Sequence, residues 1–198
     1  MKKGFTLIEL LVVIAILALL MSVIIITINP AELLRKARDT KRIADLSAFR
    51  TALNMYVAEG STNLGANCGA PATRWYLSLT GTGAKCGGLH DNTWCVSTPR
   101  LTTSSGWVPV NFGAISTGSP LSALPIDPTN SSSTGHYYYA YGCGSSTFEL
   151  NANMESTYYT SGSTNIEAND GGNASTTYEI GSQPGLDALP AATTGFYL

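Results

Sequence analysis

The chain begins with a long apolar run that fits a helix crossing a membrane. Phe5–Ile28 consists almost entirely of Leu, Ile, Val, Ala and Met, and its only polar interruptions are Thr6, Glu9, Ser22 and Thr27. As a helix this run would be about 36 Å long, enough to cross a bilayer. A cleaved signal peptide would have a shorter apolar core and a small-residue cleavage site at its far end. The pattern therefore favours a membrane-spanning helix.

The pattern that follows is typical of an amphipathic helix. Apolar residues recur at spacings of three and four up to Val57, and Gly60 provides an end signal. We predict one helix over residues 5–59, with a kink or local melting near residues 26–30, because Pro30 lacks a backbone N–H and clashes with the preceding turn. Charges four residues apart predict surface ion pairs, either on a solvated helix face or, if such helices pack together, against neighbouring copies: Glu32 with Lys36, Arg35 with Asp39, and Lys41 with Asp45.

Helical periodicity ends at Gly60, and clusters of Gly, Ser and Thr then interrupt the chain. Residues 61–119 are predicted to be mostly loop, with a few short apolar pieces, and to form an exposed insert on a globular head. Further along, the sequence predicts strands at His136–Tyr141, Thr147–Met154 and Thr177–Ile180. The first two of these strands would form a hairpin.

An α+β fold follows from these elements. A small antiparallel sheet of three or four strands, packed on the second half of the helix, would bury Phe49, Leu53 and Tyr56. No catalytic arrangement accompanies this fold, because His90 and His136 lie in loop-like and aromatic contexts without a recognisable nucleophile. We therefore predict that the protein is not an enzyme.

The charge of the chain argues against direct binding to nucleic acid. Charged residues make up only 12% of the sequence, and the formal net charge is −2. From Ser61 onward there are eight acidic and three basic side chains. This part of the chain lacks the density of Lys and Arg that neutralising phosphates requires.

All four cysteines follow the apolar run: Cys68, Cys86, Cys95 and Cys143. In an exported domain an even number favours two disulfides, with three possible connectivities. We favour one bridge between Cys143 and the 68–95 region. The alternative of a zinc site at Cys86, His90 and Cys95 is disfavoured, because that spacing matches no standard zinc pattern.

Residues Lys3–Leu10, with the sequence KGFTLIEL, resemble the processing motif of type IV prepilins and of the pseudopilins of type II secretion. In that family a membrane peptidase cuts after the glycine and methylates the new N-terminal residue. The resemblance implies cleavage between Gly4 and Phe5, N-methylation of Phe5 and an assembly role for Glu9. Weaker similarity to small pilins continues in the segments LPIDP and YAY, at Leu124–Pro128 and Tyr139–Tyr141.

Glu9 is the only charged residue between Phe5 and Ile28. An unpaired carboxylate in lipid is unfavourable, so an acid at this position calls for a partner. Cleavage after Gly4 would create a positive amine at Phe5. We expect Glu9 to pair with the Phe5 amine of an adjacent subunit during assembly.

The resemblance implies the pilin fold, with a leader peptide at residues 1–4, a transmembrane and assembly half of the helix at 5–29, an amphipathic half at 30–60 and a β-rich head at 61–198. The implied partners are further copies of the chain, minor pilins, the prepilin peptidase and the inner-membrane assembly platform with its ATPase. The precursor would be a single-pass protein of the inner membrane, and the mature subunit would lie in a filament at the cell surface.

Two alternatives stay open: a pseudopilin of type II secretion, and a membrane-anchored binding protein that never polymerises. The exposed insert favours the pilus over the pseudopilus. The resemblance to pseudopilins also raises calcium binding at Asp127 or Asn169–Asn173. Acidic residues are sparse there, and ordinary Asp, Asn and Gly turns are the favoured interpretation. No other cofactor is expected.

Overall fold

A computed structural model of the chain describes residues 4–61, 63–65, 68, 74–79, 94–96, 99–131, 135–144 and 146–186, excluding the side chains at 26–28, 74 and 94–96. The elements in chain order are α1 (Leu7–Ile28), α2 (Pro30–Ala58), β1 (Arg74–Leu77), β2 (Trp94–Val96), β3 (Ala140–Cys143), β4 (Phe148–Ala152), α3 (Thr157–Thr160) and β5 (Tyr178–Gly181). Short 3-10 turns lie at Phe112–Ala114 and Gly162–Thr164. The predicted α+β arrangement, a long N-terminal helical region followed by a small sheet, is confirmed.

The two long helices meet at Asn29, which takes a left-handed conformation with φ 45° and ψ 78°. Asparagine tolerates this conformation, and its side chain accepts a hydrogen bond from the Glu32 N–H at 3.4 Å. Pro30 occupies the first position of α2, where its fixed φ and missing N–H favour a helix start. The interruption at Asn29 lies within the predicted range of residues 26–30, and it divides the expected single helix into two.

The sheet has the strand order β2-β1-β3-β4-β5. The four strands β1, β3, β4 and β5 pair antiparallel, as the sequence predicts, and β2 adds a parallel strand at one edge. In the register, Tyr141 lies opposite Tyr76 and Leu150, and Leu150 lies opposite Ile180. These four side chains belong to the core against α2.

The strand predicted at residues 136–141 begins later than expected. β3 starts at Ala140, because His136 has a left-handed φ of 49° and Tyr137 forms only an isolated bridge outside the sheet. The predicted hairpin is present between β3 and β4, and the predicted strands at 147–154 and 177–180 correspond to β4 and β5.

The core is built around Phe49 of α2. Its ring centroid lies 5.6 Å from that of Trp107, 5.9 Å from that of Phe112 and 6.3 Å from that of Tyr141. Burial of the three predicted residues, Phe49, Leu53 and Tyr56, is confirmed. The core thus joins the second helix, the sheet and an irregular segment between them.

The prediction of an exposed insert over residues 61–119 is wrong where this irregular segment enters the core. Trp107, Val108, Val110 and Phe112 are all buried in the core, and the Trp107 indole N–H donates to the Pro125 carbonyl at 3.0 Å. The segment also supplies β1 and β2. Val108, Val110 and Phe112 alternate with Pro109 and Asn111, but these residues form no strand, and their burial depends on contacts with distant parts of the chain that a local pattern does not report.

A disulfide joins Cys68 to Cys143, with a Cα–Cα distance of 5.1 Å. It ties the segment after α2 to the end of β3, within the pairing favoured from the sequence. Cys95 lies on β2, and Cys86 and His90 lie outside the described residues. The second predicted bridge and the zinc alternative therefore stay predictions.

Candidate assembly and membrane-anchoring site

Helix α1 lies outside the hydrophobic core. Each of its large apolar side chains between Leu7 and Ile25 is at least 45% exposed. In the part of the chain that the structure describes, Leu7–Ile25 is the one helix long and apolar enough to cross a membrane. A surface of this kind is unfavourable in water. It therefore requires lipid, or the apolar helices of other molecules, around it.

The first turn of α1 is organised by Glu9. Its carboxylate Oε2 accepts hydrogen bonds from the Thr6 N–H at 2.9 Å and the Thr6 hydroxyl at 2.6 Å, while the Glu9 N–H donates to Thr6 Oγ1 at 3.3 Å. This reciprocal capping box fixes the start of the helix. Gly4 and the exposed Phe5 lie directly before it. No cation among the described residues forms an ion pair with Glu9.

The N-terminal sequence that contains this turn matches a known sequence motif. Residues 1–25 match the family described as "Prokaryotic N-terminal methylation motif". The N-terminus carries the type IV pilin and pseudopilin signature. The signature supports a pilin or pseudopilin and implies processing by a prepilin peptidase and assembly into a filament. Neither the curated proteins nor the solved structures contain a match to the chain.

A second site of this pilin-like chain joins α2 to the head. It is an interior charge network of two guanidinium groups and three carboxylates: Arg38, Arg42, Asp39, Asp127 and Glu155. Arg42 is fully buried at its centre. It donates to both oxygens of Asp127, from Nε at 2.6 Å and from Nη2 at 2.9 Å, to Asp39 Oδ1 at 2.7 Å and to Glu155 Oε1 at 2.5 Å.

The network also fastens the backbone of the head. Asp39 accepts hydrogen bonds from the N–H groups of Glu155 at 2.9 Å and Ser156 at 2.8 Å, and Arg38 forms an ion pair with Glu155. Burial alone would raise the pKa of Glu155, but hydrogen bonds from Arg38 and Arg42 outweigh it and lower that pKa to about 2. Burial would lower the pKa of Arg42, yet hydrogen bonding to Asp127 raises it above its ordinary value. Arg42 and Glu155 are therefore charged at neutral pH.

This network corrects the interpretation of the charged stripe on α2. Asp39 pairs with Arg42 instead of Arg35, and both groups face the interior of the head instead of a neighbouring subunit. Of the predicted pairs, Lys41 with Asp45 is present at 3.0 Å. A signal for the interior position existed, because Asp39 and Arg42 continue the spacing of three and four set by the buried apolar residues Leu46, Phe49, Leu53 and Tyr56.

The candidate calcium ligands are engaged by the chain itself. Asp127 accepts from Arg42 and from the N–H groups of Thr129 at 2.7 Å and Asn130 at 3.2 Å. Asp170 accepts from the N–H groups of Gly172 at 2.9 Å and Glu179 at 2.6 Å. The described residues contain no group of three or more His, Cys, Asp or Glu side chains placed to hold a metal. We propose no calcium site at either position.

A buried pair of acids on the sheet had no signal in the sequence analysis. Glu149 of β4 and Glu179 of β5 are both buried. Glu149 Oε2 accepts from the Leu186 N–H at 2.5 Å, and Glu179 Oε2 accepts from the Ala174 N–H at 2.9 Å. Burial, followed by the neighbouring charge of Glu179, raises the pKa of Glu149 to about 9. Glu149 is therefore protonated at neutral pH, and the pair holds two segments of backbone against the sheet.

Proposed function

We propose that this protein is the structural subunit of a type IV pilus-like filament and not an enzyme. The observation that carries the proposal is an apolar helix, exposed along its length, that begins with the methylation motif. The precursor is held in the inner membrane by α1, with its head outside the cytoplasm. The prepilin peptidase cuts between Gly4 and Phe5, and Phe5 becomes the N-methylated first residue. The assembly platform and its ATPase then move the subunit into a filament of its own copies and minor pilins.

Glu9 selects the incoming subunit in this mechanism. Within the described chain its carboxylate is bound only by Thr6, so no cation of the described residues balances its charge. The Phe5 amine of an adjacent copy supplies that cation in an apolar environment, where attraction between opposite charges is strong. Because either charge alone is unfavourable there, the pair also sets the axial position of one helix against the next.

A pseudopilin of type II secretion is the second candidate, because the methylation motif is shared by both kinds of subunit. The predicted exposed insert favours a pilus, and the burial of Trp107, Val108, Val110 and Phe112 removes part of that argument. Deletion of the chain distinguishes the two. Loss of surface filaments with intact protein secretion supports the pilus, and loss of secretion with intact surface filaments supports the pseudopilus.

The substitution Glu9→Ala tests filament formation itself. We expect it to abolish the yield of sheared, purified filaments, while mass spectrometry of wild-type filaments detects a chain that starts at N-methylated Phe5. Ser22→Ala is the matched control in the same helix, since the Ser22 hydroxyl donates only within the helix, to the Leu19 carbonyl at 2.7 Å. Filaments of unchanged yield and order from Glu9→Ala would contradict the proposal and favour a membrane-anchored binding protein that does not polymerise.

A further inference from the structure

Exposed apolar side chains of the described region cluster at one place outside α1. Beyond that helix, five large apolar side chains are exposed, and three of them lie where α2 begins: Leu33, Leu34 and Tyr158. Tyr158 belongs to α3, which packs beside the first turns of α2. We call these three residues, together with the neighbouring cations Arg35 and Lys36, the basal patch.

The charges of the basal patch are held in a defined arrangement. The Lys36 ammonium lies 3.4 Å from the centroid of the Tyr158 ring, a cation–π contact. Glu32, the nearby acid, accepts hydrogen bonds from the N–H and the hydroxyl of Thr157, both at 2.6 Å, and lies 3.6 Å from Arg35. Two cations thus accompany one partnered carboxylate, so the patch combines apolar surface with an excess of positive charge.

The position of the patch along the chain places it next to the membrane. Helix α1 has 22 residues and is about 33 Å long, close to the hydrocarbon thickness of about 30 Å. Leu33 follows Ile28 by little more than one helical turn, or about 8 Å, and any bend at Asn29 brings it closer. The headgroup layer occupies about 5–8 Å on each side of the hydrocarbon. Side chains of α2 also tilt toward the helix N-terminus, which here is the membrane side.

The shape of the patch fits a lipid layer better than a single protein face. Leu33 and Leu34 are consecutive helical residues, so their side chains point about 100° apart around α2. A flat partner surface would cover one of them, whereas lipid surrounds both. Aromatic rings and Lys or Arg with apolar stems are the side chains that favour the boundary between hydrocarbon and water.

We infer that, in the membrane-anchored precursor, the basal patch binds the phospholipid headgroup layer, with Lys36 and Arg35 donating to lipid phosphates and Leu33, Leu34 and Tyr158 entering the acyl boundary. The inference rests on the membrane-anchored precursor in the proposed function. It adds that the head is docked on the bilayer before assembly. The head must then leave this surface when the subunit enters the filament.

Fluorescence quenching in vesicles tests the docking. The full chain carrying Tyr158→Trp is reconstituted, at a low ratio of protein to lipid, in phosphatidylglycerol and phosphatidylcholine vesicles that contain a lipid with a nitroxide on its headgroup. The matched control is Met55→Trp on α2, because Met55 is 45% exposed and Tyr158 is 43% exposed, but Met55 lies about 37 Å along the helix from Pro30. The wild-type chain supplies the emission of its native tryptophans.

We expect the nitroxide to quench the emission added by Tyr158→Trp and to leave that added by Met55→Trp unchanged. A third variant, Leu17→Trp in α1, with bromine near the ends of the acyl chains, reports membrane insertion separately. Quenching of Leu17→Trp without quenching of Tyr158→Trp would overturn the docking and leave the anchoring intact. Absence of quenching in both would overturn the docking and the anchored precursor together. Equal quenching at positions 158 and 55 would mean adsorption of the whole head and would also overturn the inference.

A separate quenching measurement tests the role of the Lys36 cation. Adding Lys36→Gln to the Tyr158→Trp chain is expected to reduce the quenching in vesicles rich in phosphatidylglycerol more than in vesicles of phosphatidylcholine alone. Lys41→Gln is the control, since Lys41 is also a cation of α2 but pairs with Asp45 at 3.0 Å. Equal effects of the two substitutions would overturn the assignment of Lys36 to lipid phosphates.

Discussion

The charged residues of the two long helices differ in whether the same chain supplies their partners of opposite charge. On α2, Arg42 is fully buried and donates to three carboxylates of the same chain. On α1, Glu9 lies in an exposed apolar helix, and its carboxylate accepts only from Thr6 among the described residues. The first arrangement is complete within one molecule, whereas for the second we propose a cation supplied by another molecule.

This difference separates stability from assembly. A buried ion network in which every partner is present holds α2 against the head, and removal of one partner leaves uncompensated charge in the interior. A charge on a helix that the chain does not bury contributes little to the folded monomer. In the proposed filament, the attraction between this charge and a cation becomes strong when the helix enters an apolar assembly. The following tests compare these two cases, from the largest expected effect to the smallest.

The largest effect is expected from Arg42→Met. The substitution leaves the carboxylates of Asp39, Asp127 and Glu155 facing one another without their central cation. We expect the free energy of unfolding to fall by about 3–5 kcal/mol, measured by denaturant unfolding of the full chain in detergent. The control Lys41→Gln removes an exposed ion pair and should change it by less than about 1 kcal/mol. Similar values for the two variants would mean that the network does not hold the head on α2.

Removal of the disulfide should have the next largest effect. Cys68 and Cys143 are separated by 75 residues, so the bridge restricts a long loop of the unfolded chain. The double substitution Cys68→Ala and Cys143→Ala is expected to lower the free energy of unfolding by about 2–4 kcal/mol. The helicity of α1 in detergent should not change, because the bridge lies in the head. A loss of α1 helicity in this variant would show that the two regions are not independent.

The regions also differ in how far the sequence could predict them. α1 was predictable because its evidence is local: an uninterrupted apolar run, one acid and a compact motif at the N-terminus. Burial of Phe49, Leu53 and Tyr56 was predictable because helical periodicity reports which face is covered. Strands β3, β4 and β5 followed from aromatic and alternating segments, within a few residues at their ends, whereas β1 lies in the region predicted to be mostly loop.

The interior charge network was not predictable in the same way. Arg42 meets Asp127 across 85 residues and Glu155 across 113 residues, and no local pattern reports such contacts. Helical spacing places Asp39 and Arg42 on the buried face of α2, but it does not identify the partners that they meet across the fold. Burial of Trp107 and the parallel pairing of β2 depend, in the same manner, on contacts between distant segments.

The buried acids of the sheet predict a pH dependence specific to the head. The pKa of Glu149, about 9, lies above its ordinary value of 4.5, so the folded state retains a proton that the unfolded state releases. Stability from this group is fully present below pH 4.5 and declines as the pH rises through 9. Between pH 7 and pH 9 the loss should reach about 1–3 kcal/mol.

Glu149→Gln isolates this contribution, because a neutral amide replaces the protonated carboxyl. We expect the variant to lose less stability than the wild type between neutral and alkaline pH, measured by thermal unfolding followed by near-ultraviolet circular dichroism. Glu155→Gln is the opposite control. The pKa of Glu155 is lowered to about 2, so its contribution is present above its ordinary pKa and is lost in acid. An unchanged alkaline slope in Glu149→Gln would exclude Glu149 as the titrating group.

The smallest effect on the single chain is expected from Glu9→Gln. Its carboxylate caps the first turn of α1 and contacts nothing in the head, so the melting temperature of the monomer in detergent should not change measurably. The same variant should lose filaments, because glutamine cannot supply the negative charge that the Phe5 amine of an adjacent subunit requires. For Arg42→Met, in contrast, we expect a large loss of monomer stability. A clear fall in the melting temperature of Glu9→Gln would mean that Glu9 also stabilises the folded head, and the contrast between the two helices would then fail.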